Sequence, residues 1–226
     1  MSLAVQQMFD RISAHYDFLN RFLSLRRDVA WRRRASLAAG PGRDVLDLCG
    51  GTGDFLAAYQ KQWGSVSGLV GDFSLGMLRI ARRKWPEGVS LQLDALHLPF
   101  SDDSFDVVLC GFGLRNLDSL DAGLAEIRRV LRPGGRLVAL EFFRPTTWVS
   151  RFFYQVIAPV AIPLVGALFS GRRSAYEYLV RSVQRFVSAS GFKDVARKHG
   201  LEEQTTVALD FGIAYFSVMV KENSRA

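Results

Sequence analysis

Along residues 8–39 the apolar positions Phe9, Ile12, Tyr16, Leu19, Phe22 and Leu23 recur at helical spacing with arginines filling the intervals, which predicts two or three helices. This stretch reads as a lid rather than a domain. From Asp44 the period changes. Short apolar runs at Val45–Leu48, Val66–Val70, Val89–Leu93, Val107–Cys110 and Arg136–Phe143 alternate with amphipathic segments at Gly53–Lys61, Ser74–Lys84 and Leu120–Leu131. Strand and helix in alternation predict an α/β fold with a parallel sheet covered by helices on both faces.

The turn residues agree with that pattern. Arg132-Pro133-Gly134-Gly135 stops a helix and launches the next strand, and Ser101-Asp102-Asp103-Ser104 makes a polar connection ahead of Phe105. After Arg144-Pro145 the regularity breaks into an insertion, Trp148 to Tyr178, apolar first and basic afterwards. A helix around Asp194–His199 then leads into Thr205–Leu209 and Ala214–Val220, close enough in sequence to pair as an antiparallel hairpin. With no internal repeat or low-complexity linker, residues 1–226 read as one domain, with a lid over 1–40 and an insertion over 145–188.

Composition narrows the class. At 49% hydrophobic, 12% aromatic and 23% charged over 226 residues, the chain is neither disordered, collagenous nor a small disulfide scaffold. Lysine and arginine total 29 against 22 acidic residues, a net charge of +7, so phospholipid, nucleic acid and acidic metabolites are all plausible partners. Cys49 and Cys110 each end an apolar run and read as small buried hydrophobes in a reducing cytosol. The first fifteen residues lack the apolar core of a secretory signal. His15, His97 and His199 stand apart from each other and from the cysteines, so no metal site is expected.

The strongest chemical signal is Val45-Leu46-Asp47-Leu48-Cys49-Gly50-Gly51-Thr52-Gly53-Asp54, an apolar strand that runs through a glycine-rich turn into a helix. Three glycines within four residues exceed what a bare turn requires, and they let backbone approach a ligand at a helix start. A nicotinamide fingerprint would need a third glycine where Leu56 stands.

The run matches D-x-x-G-G-T-G and is similar to the first motif of the S-adenosylmethionine-dependent methyltransferases. That resemblance implies a Rossmann-like class I fold: a mostly parallel seven-stranded sheet ending in an antiparallel hairpin, helices on both faces, and S-adenosylmethionine as cofactor. It also implies that Asp47, Gly51, Thr52 and Gly53 lie against the methionine part, and that Asp72, next to Phe73, takes the ribose hydroxyls. Asp94 and Ala95 fall where the adenine is held, and Gly111 would bring backbone to the cofactor. A carboxylate at Asp72 suits a vicinal diol because it offers two acceptor oxygens, although an acid just before Ser74 also suits a helix start.

Further along, the chain resembles the UbiE/MenG-type ubiquinone and menaquinone C-methyltransferases. The resemblance rests on Phe9-Asp10-Arg11-Ile12 with Tyr16, Asp17 and Asn20, on Trp31-Arg32-Arg33, on Phe112-Gly113-Leu114-Arg115-Asn116, and on Glu141-Phe142 with Pro145. The chain departs from it at Arg26 and Asp28, where glycine and histidine are usual, and in a closing hairpin without the usual histidine. The family reaction methylates a ring carbon of a polyprenylated hydroquinone. An aromatic carbon is a poor nucleophile until a ring hydroxyl, with a pKa of about 10, loses its proton, so the site must favour a phenolate. Arg115 is the expected cation, stabilising the phenolate or organising water; it would otherwise satisfy a helix end or pair with Asp118. Tyr16 is the second catalytic candidate, carried with Asp17 on the lid, and Phe112 and Asn116 are expected to contact substrate.

A prenylated quinol resides in the membrane. The segment Phe152–Phe169 is the candidate contact, bordered by Trp148 and Arg172-Arg173. Pro159, Pro163 and Gly166 are expected to bend it, and a full span would separate the last strands from their sheet. It is therefore expected to lie on the interface or line a tail groove, unless it is a core or dimer-interface helix. Methylation of RNA or another small molecule, and a non-catalytic subunit of the same fold, are the competing readings; RNA is disfavoured because aromatics do not interleave with the arginine clusters.

Overall fold

A computed structural model describes residues 3–170 and 173–222. Seven strands, β1 (Asp44–Leu48), β2 (Ser67–Asp72), β3 (Val89–Gln92), β4 (Phe105–Gly111), β5 (Leu131–Glu141), β6 (Leu201–Leu209) and β7 (Ala214–Lys221), form one sheet in the order β3-β2-β1-β4-β5-β7-β6. All neighbours are parallel except β7, which runs antiparallel to β5 and β6. Val45, Leu46 and Leu48 of β1 and Val107, Val108 and Leu109 of β4 are fully buried, as continuous apolar strands covered on both faces should be.

One face is covered by α5 (Leu120–Val130) and α9 (Ala189–Lys198), which bury Leu124, Ile127, Phe192 and Ala196 against Leu46, Leu48 and Val108. The other is covered by α2 (Arg27–Ala39), α3 (Asp54–Trp63) and α4 (Leu75–Lys84) over Val45, Leu109 and Val138. Strand order reverses between β1 and β4, so a crevice opens beyond their carboxyl ends, the place where open α/β sheets take ligands.

The stretch expected to be a lid, residues 1–40, holds two helices in its described part, α1 (Leu3–Leu23) and α2. Ile12 and Leu19 bury against Met77 of α4 and against Ala175 and Tyr176 of a later helix, α8 (Arg173–Arg185). A Cβ on Gly76 would lie 3.0 Å from Asp10 Oδ1 and 3.1 Å from its Cα, so a larger residue there would push α1 back from α4 by a few tenths of an ångström.

Several boundaries differ from the sequence pattern. β5 begins at Leu131, because Phe105 pairs with Leu131 and Val107 with Arg136, leaving Arg132–Gly135 as a bulge within the strand. β6 begins at Leu201, which is fully buried and pairs with Lys221. The insertion stays helical through its prolines: α6 (Trp148–Phe152), a π-helical turn (Phe153–Ile157) and α7 (Ala158–Ser170). The widened turn lies directly before Pro159, where a missing N–H would otherwise break the α-helical ladder.

Candidate active site

Asp47 closes β1 with its carboxylate inside the fold. Its Oδ2 accepts from Leu56 N at 3.0 Å, while Oδ1 is buried without a protein partner, and burial pushes the carboxyl up to about 7. The chain then turns through Gly51, whose φ of +56° favours glycine and beside which a Cβ would meet nothing within 4 Å. Gly51 N donates to Asp72 Oδ2 at 2.8 Å, and Ser74 N donates to Asp72 Oδ1 at 2.8 Å. Burial pushes Asp72 up to about 6 against the pull of those two donors. The Phe73 N–H adds a third backbone pull on this carboxylate, whose roughly four lone-pair directions still leave acceptor capacity. An unpartnered buried carboxylate oxygen on Asp47 suits an ammonium and the remaining acceptor capacity of Asp72 suits ribose hydroxyls, so these acceptors fit S-adenosylmethionine.

Tyr16, Gly51, Asp72, Gly111, Phe112 and Asn116 line one cavity of about 30 Å³ at the strand tips, under the lid. The remaining predicted cofactor positions, Asp47, Thr52, Gly53, Phe73, Asp94 and Ala95, are not among its lining residues. Thr52 Oγ1 is engaged by Asp17 of α1 at 2.7 Å and by Lys84 Nζ at 3.0 Å. Gly53 starts α3 with φ +80°, and the Phe73 carbonyl accepts from Gln6 and Gln92. Asp94 Oδ1 accepts from Leu96 N at 3.1 Å beyond the end of β3, and Ala95 is part of the core. His97 is exposed.

A second, largely apolar pocket adjoins the first and shares Phe9, Tyr16 and Phe112 with it. Its floor is Phe112 stacked on Phe142, with centroids 4.5 Å apart. Arg115 enters this pocket paired with Glu141 rather than Asp118: Nη1 donates to Glu141 Oε1 at 2.7 Å and to Phe112 O at 2.6 Å, and Nε donates to Ser182 Oγ at 3.3 Å. Glu141 is completely buried, which raises its pKa, while Arg115 pulls it back down. Asn116 Nδ2 donates to Phe112 O at 3.2 Å and its Oδ1 accepts from Tyr178, so this amide braces the loop. Burial raises the Tyr16 phenol, opposed by a hydrogen bond with Asn20 and by the charges of Arg32 and Arg115.

Cys110 is buried as expected, but Cys49 is half-buried and lines the strand-tip cavity. Its φ of +54° falls in the turn after β1, where it packs against the edge of the core. Glu141, Asp28, Arg32 and Tyr154 also reach the aromatic pocket or its walls, although the sequence pattern assigns them no role there. A lone acid in the apolar run Leu137–Phe143 was the available signal for Glu141. Among the described residues, no group of three histidine, cysteine or acidic side chains could hold a metal ion.

Comparison with known proteins follows the same lines. The model of the ubiE/COQ5 methyltransferase family matches residues 1–221. A demethylmenaquinone methyltransferase of Deinococcus radiodurans is 43% identical, over 93% of this chain and 90% of that protein. One from Thermus thermophilus is 42% identical, over 93% and 98%. Among solved structures, a SAM-dependent methyltransferase of Thermotoga maritima, described as a possible histamine N-methyltransferase, superposes with a TM-score of 0.72 at 22% identity, covering 96% of this chain and 99% of that one, a likeness of fold.

Proposed function

Because the chain belongs to the ubiE/COQ5 methyltransferase family and is an S-adenosylmethionine-dependent methyltransferase, we propose that it methylates a ring carbon of a prenylated 1,4-naphthoquinol, the demethylated quinol of menaquinone biosynthesis. The observation that carries this reading is the shared wall: the strand-tip cavity and the aromatic pocket meet at Phe9, Tyr16 and Phe112, with Arg115 facing the second of them.

The cofactor supplies an electrophilic methyl group on a sulfonium. Asp47 and Asp72 would hold its ammonium and ribose hydroxyls, with Gly51 and Gly111 giving backbone access and Asp94 and Ala95 bordering the adenine end. Phe112 and Phe142, stacked on each other, supply apolar aromatic wall to the pocket that would take the quinol ring. Arg115 stabilises the phenolate form of that ring, since a cation in a weakly polar pocket lowers a nearby phenol's pKa. Its own charge is held in place by Glu141. Tyr16 and α1 exclude water and align ring carbon with methyl, and alignment is the larger part of the rate.

The prenyl tail is proposed to leave along the insertion. Phe153, Tyr154 and Ile162 line the pocket, whereas Phe152, Val156, Val160, Leu164 and Leu168 of the same helical segment are exposed. The 21-residue helix Trp148–Leu168 is apolar enough to cross a bilayer. Its inner face is built into the protein, so we place it on the membrane surface. Of its basic border, Arg172 lies outside the described residues. The reading is tested by incubating the protein with labelled S-adenosylmethionine and a panel of reduced demethylated quinones and identifying the product by mass. Methylated naphthoquinol is expected; transfer only to an unrelated acceptor overturns the proposal.

A further inference from the structure

Two guanidinium groups, not one, face the aromatic pocket. In the sequence Arg32 opens the run Arg32-Arg33-Arg34, and the structure separates it from its neighbours: Arg33 and Arg34 are exposed, whereas Arg32 is only 7% exposed. Its guanidinium carbon lies 5.8 Å from the Phe112 ring centroid, and that of Arg115 lies 5.6 Å from the centroid of Phe142. Each cation thus has its own ring of the stacked pair, and both line the pocket that holds Tyr16.

A purely structural account of Arg32 would make it the counter-ion of Asp28, to which Nη1 donates at 2.6 Å. Asp28 has other partners besides Arg32. The same carboxylate oxygen accepts from Arg21, and Oδ1 accepts from Ser24 Oγ at 2.9 Å. Arg21 continues to Asp54 at 2.7 Å, Asp54 to Lys84 at 2.8 Å, and Lys84 to Asp17 at 2.6 Å. Arg32 is therefore the pocket end of an alternating ion chain that runs to the lid and the glycine loop, rigidly placed where an apolar wall would otherwise suffice.

We propose that Arg32 is a second substrate-binding cation, holding the ring hydroxyl para to the one that faces Arg115. The inference rests on the quinol reading given above. A 1,4-dihydroxy ring carries its oxygens on opposite edges and so can engage two separate cations, and Arg32 and Arg115 line the same pocket, each beside a different ring of the stacked pair. Fixing both oxygens stops the ring rotating in its plane and decides which carbon meets the methyl group. Arginine suits the task because its donors are numerous and stay charged.

The test compares wild type, Arg32→Met and Arg32→Lys on a reduced demethylated naphthoquinol and on its 1-naphthol analogue lacking the second hydroxyl, with thermal melts and S-adenosylmethionine affinity by calorimetry as controls. Wild type is expected to prefer the dihydroxy ring by roughly 10- to 100-fold in kcat/KM, the span of one charge-assisted hydrogen bond. Arg32→Met should lose that preference, mainly through KM for the dihydroxy ring, and Arg32→Lys should recover part of it; a change in donor affinity, which calorimetry reads separately, acts on both rings alike and leaves their ratio untouched. Equal losses on both rings, or an intact preference in Arg32→Met, overturn the second cation alone. Failure of wild type to methylate either ring overturns the quinol reading, and this inference with it.

Discussion

Asp17 on the lid accepts a 2.7 Å hydrogen bond from the Thr52 hydroxyl of the glycine loop, so the segment that covers the site is tied to the segment proposed to hold the cofactor. Asp10 makes a second tie, accepting from Ser74 Oγ and from Gly76 N at the start of α4. Asp17 and its partner Lys84 are about one-third exposed, which limits their worth to the fold. Asp17→Ala is expected to lower global stability by less than about 1 kcal/mol. Amide exchange in α1 should accelerate, exchange in α5 should not, and turnover should fall. Unchanged exchange in α1 would show that apolar packing alone holds the lid.

Arg115 and Glu141 form a buried ion pair, with side-chain exposures of 6% and 0%. Removing one member strands the other charge, at a cost of about 3–5 kcal/mol, while replacing both with apolar groups is far less harmful. Arg115→Met should therefore lose both stability and turnover. Arg115→Met with Glu141→Leu should regain most of the stability in denaturant titration and none of the turnover. Turnover that returns together with stability would reduce Arg115 to a structural role.

Alternation of apolar runs and amphipathic segments was enough to lay out the parallel sheet, and the glycine-rich run after β1 was enough to place its crevice. The aromatic pocket was harder to see. Arg32 looks like its neighbours Arg33 and Arg34 in sequence, and only the rotation of α2 buries it. Asp17 reads as lid or cap, but its partners Thr52 and Lys84 are more than thirty residues away, beyond the reach of local periodicity. Pro159, Pro163 and Gly166 were expected to bend and interrupt the insertion, yet it stays helical through all three, with a π turn over Phe153–Ile157.

Asp47 and Asp72 hold protons more tightly in the fold than at their ordinary pKa of 3.8, reaching about 7 and about 6. A raised carboxyl pKa makes the ionised form a cost to the folded state, full above the folded pKa and absent below the ordinary one. Asp47→Asn should therefore be more stable than wild type at pH 8, with the advantage shrinking as pH falls toward 4. An ammonium near Asp47 and hydroxyls on Asp72 favour the ionised carboxylates, so binding S-adenosylmethionine at pH 6.5 should release protons. Calorimetry in buffers of different ionisation enthalpy measures that release; none in wild type, or equal release in Asp47→Asn, would remove Asp47 from the cofactor site.

Val160 and Leu164 are 68% and 58% exposed on the outer face of α7, while Ile162 between them lines the pocket. Lysines at both exposed positions should change fold stability by no more than about 1 kcal/mol, since each is a surface substitution. On a membrane the same changes are costly, because a buried apolar side chain contributes about 1.5–3 kcal/mol. The double variant should bind phosphatidylglycerol vesicles at least about tenfold more weakly and lose activity on a long-tailed quinol presented in them. Activity on a short-tailed, water-soluble quinol should be kept, because the inner face of the helix is untouched. Equal losses on both substrates, or unaltered vesicle binding, would mean that this face packs against protein instead of lipid.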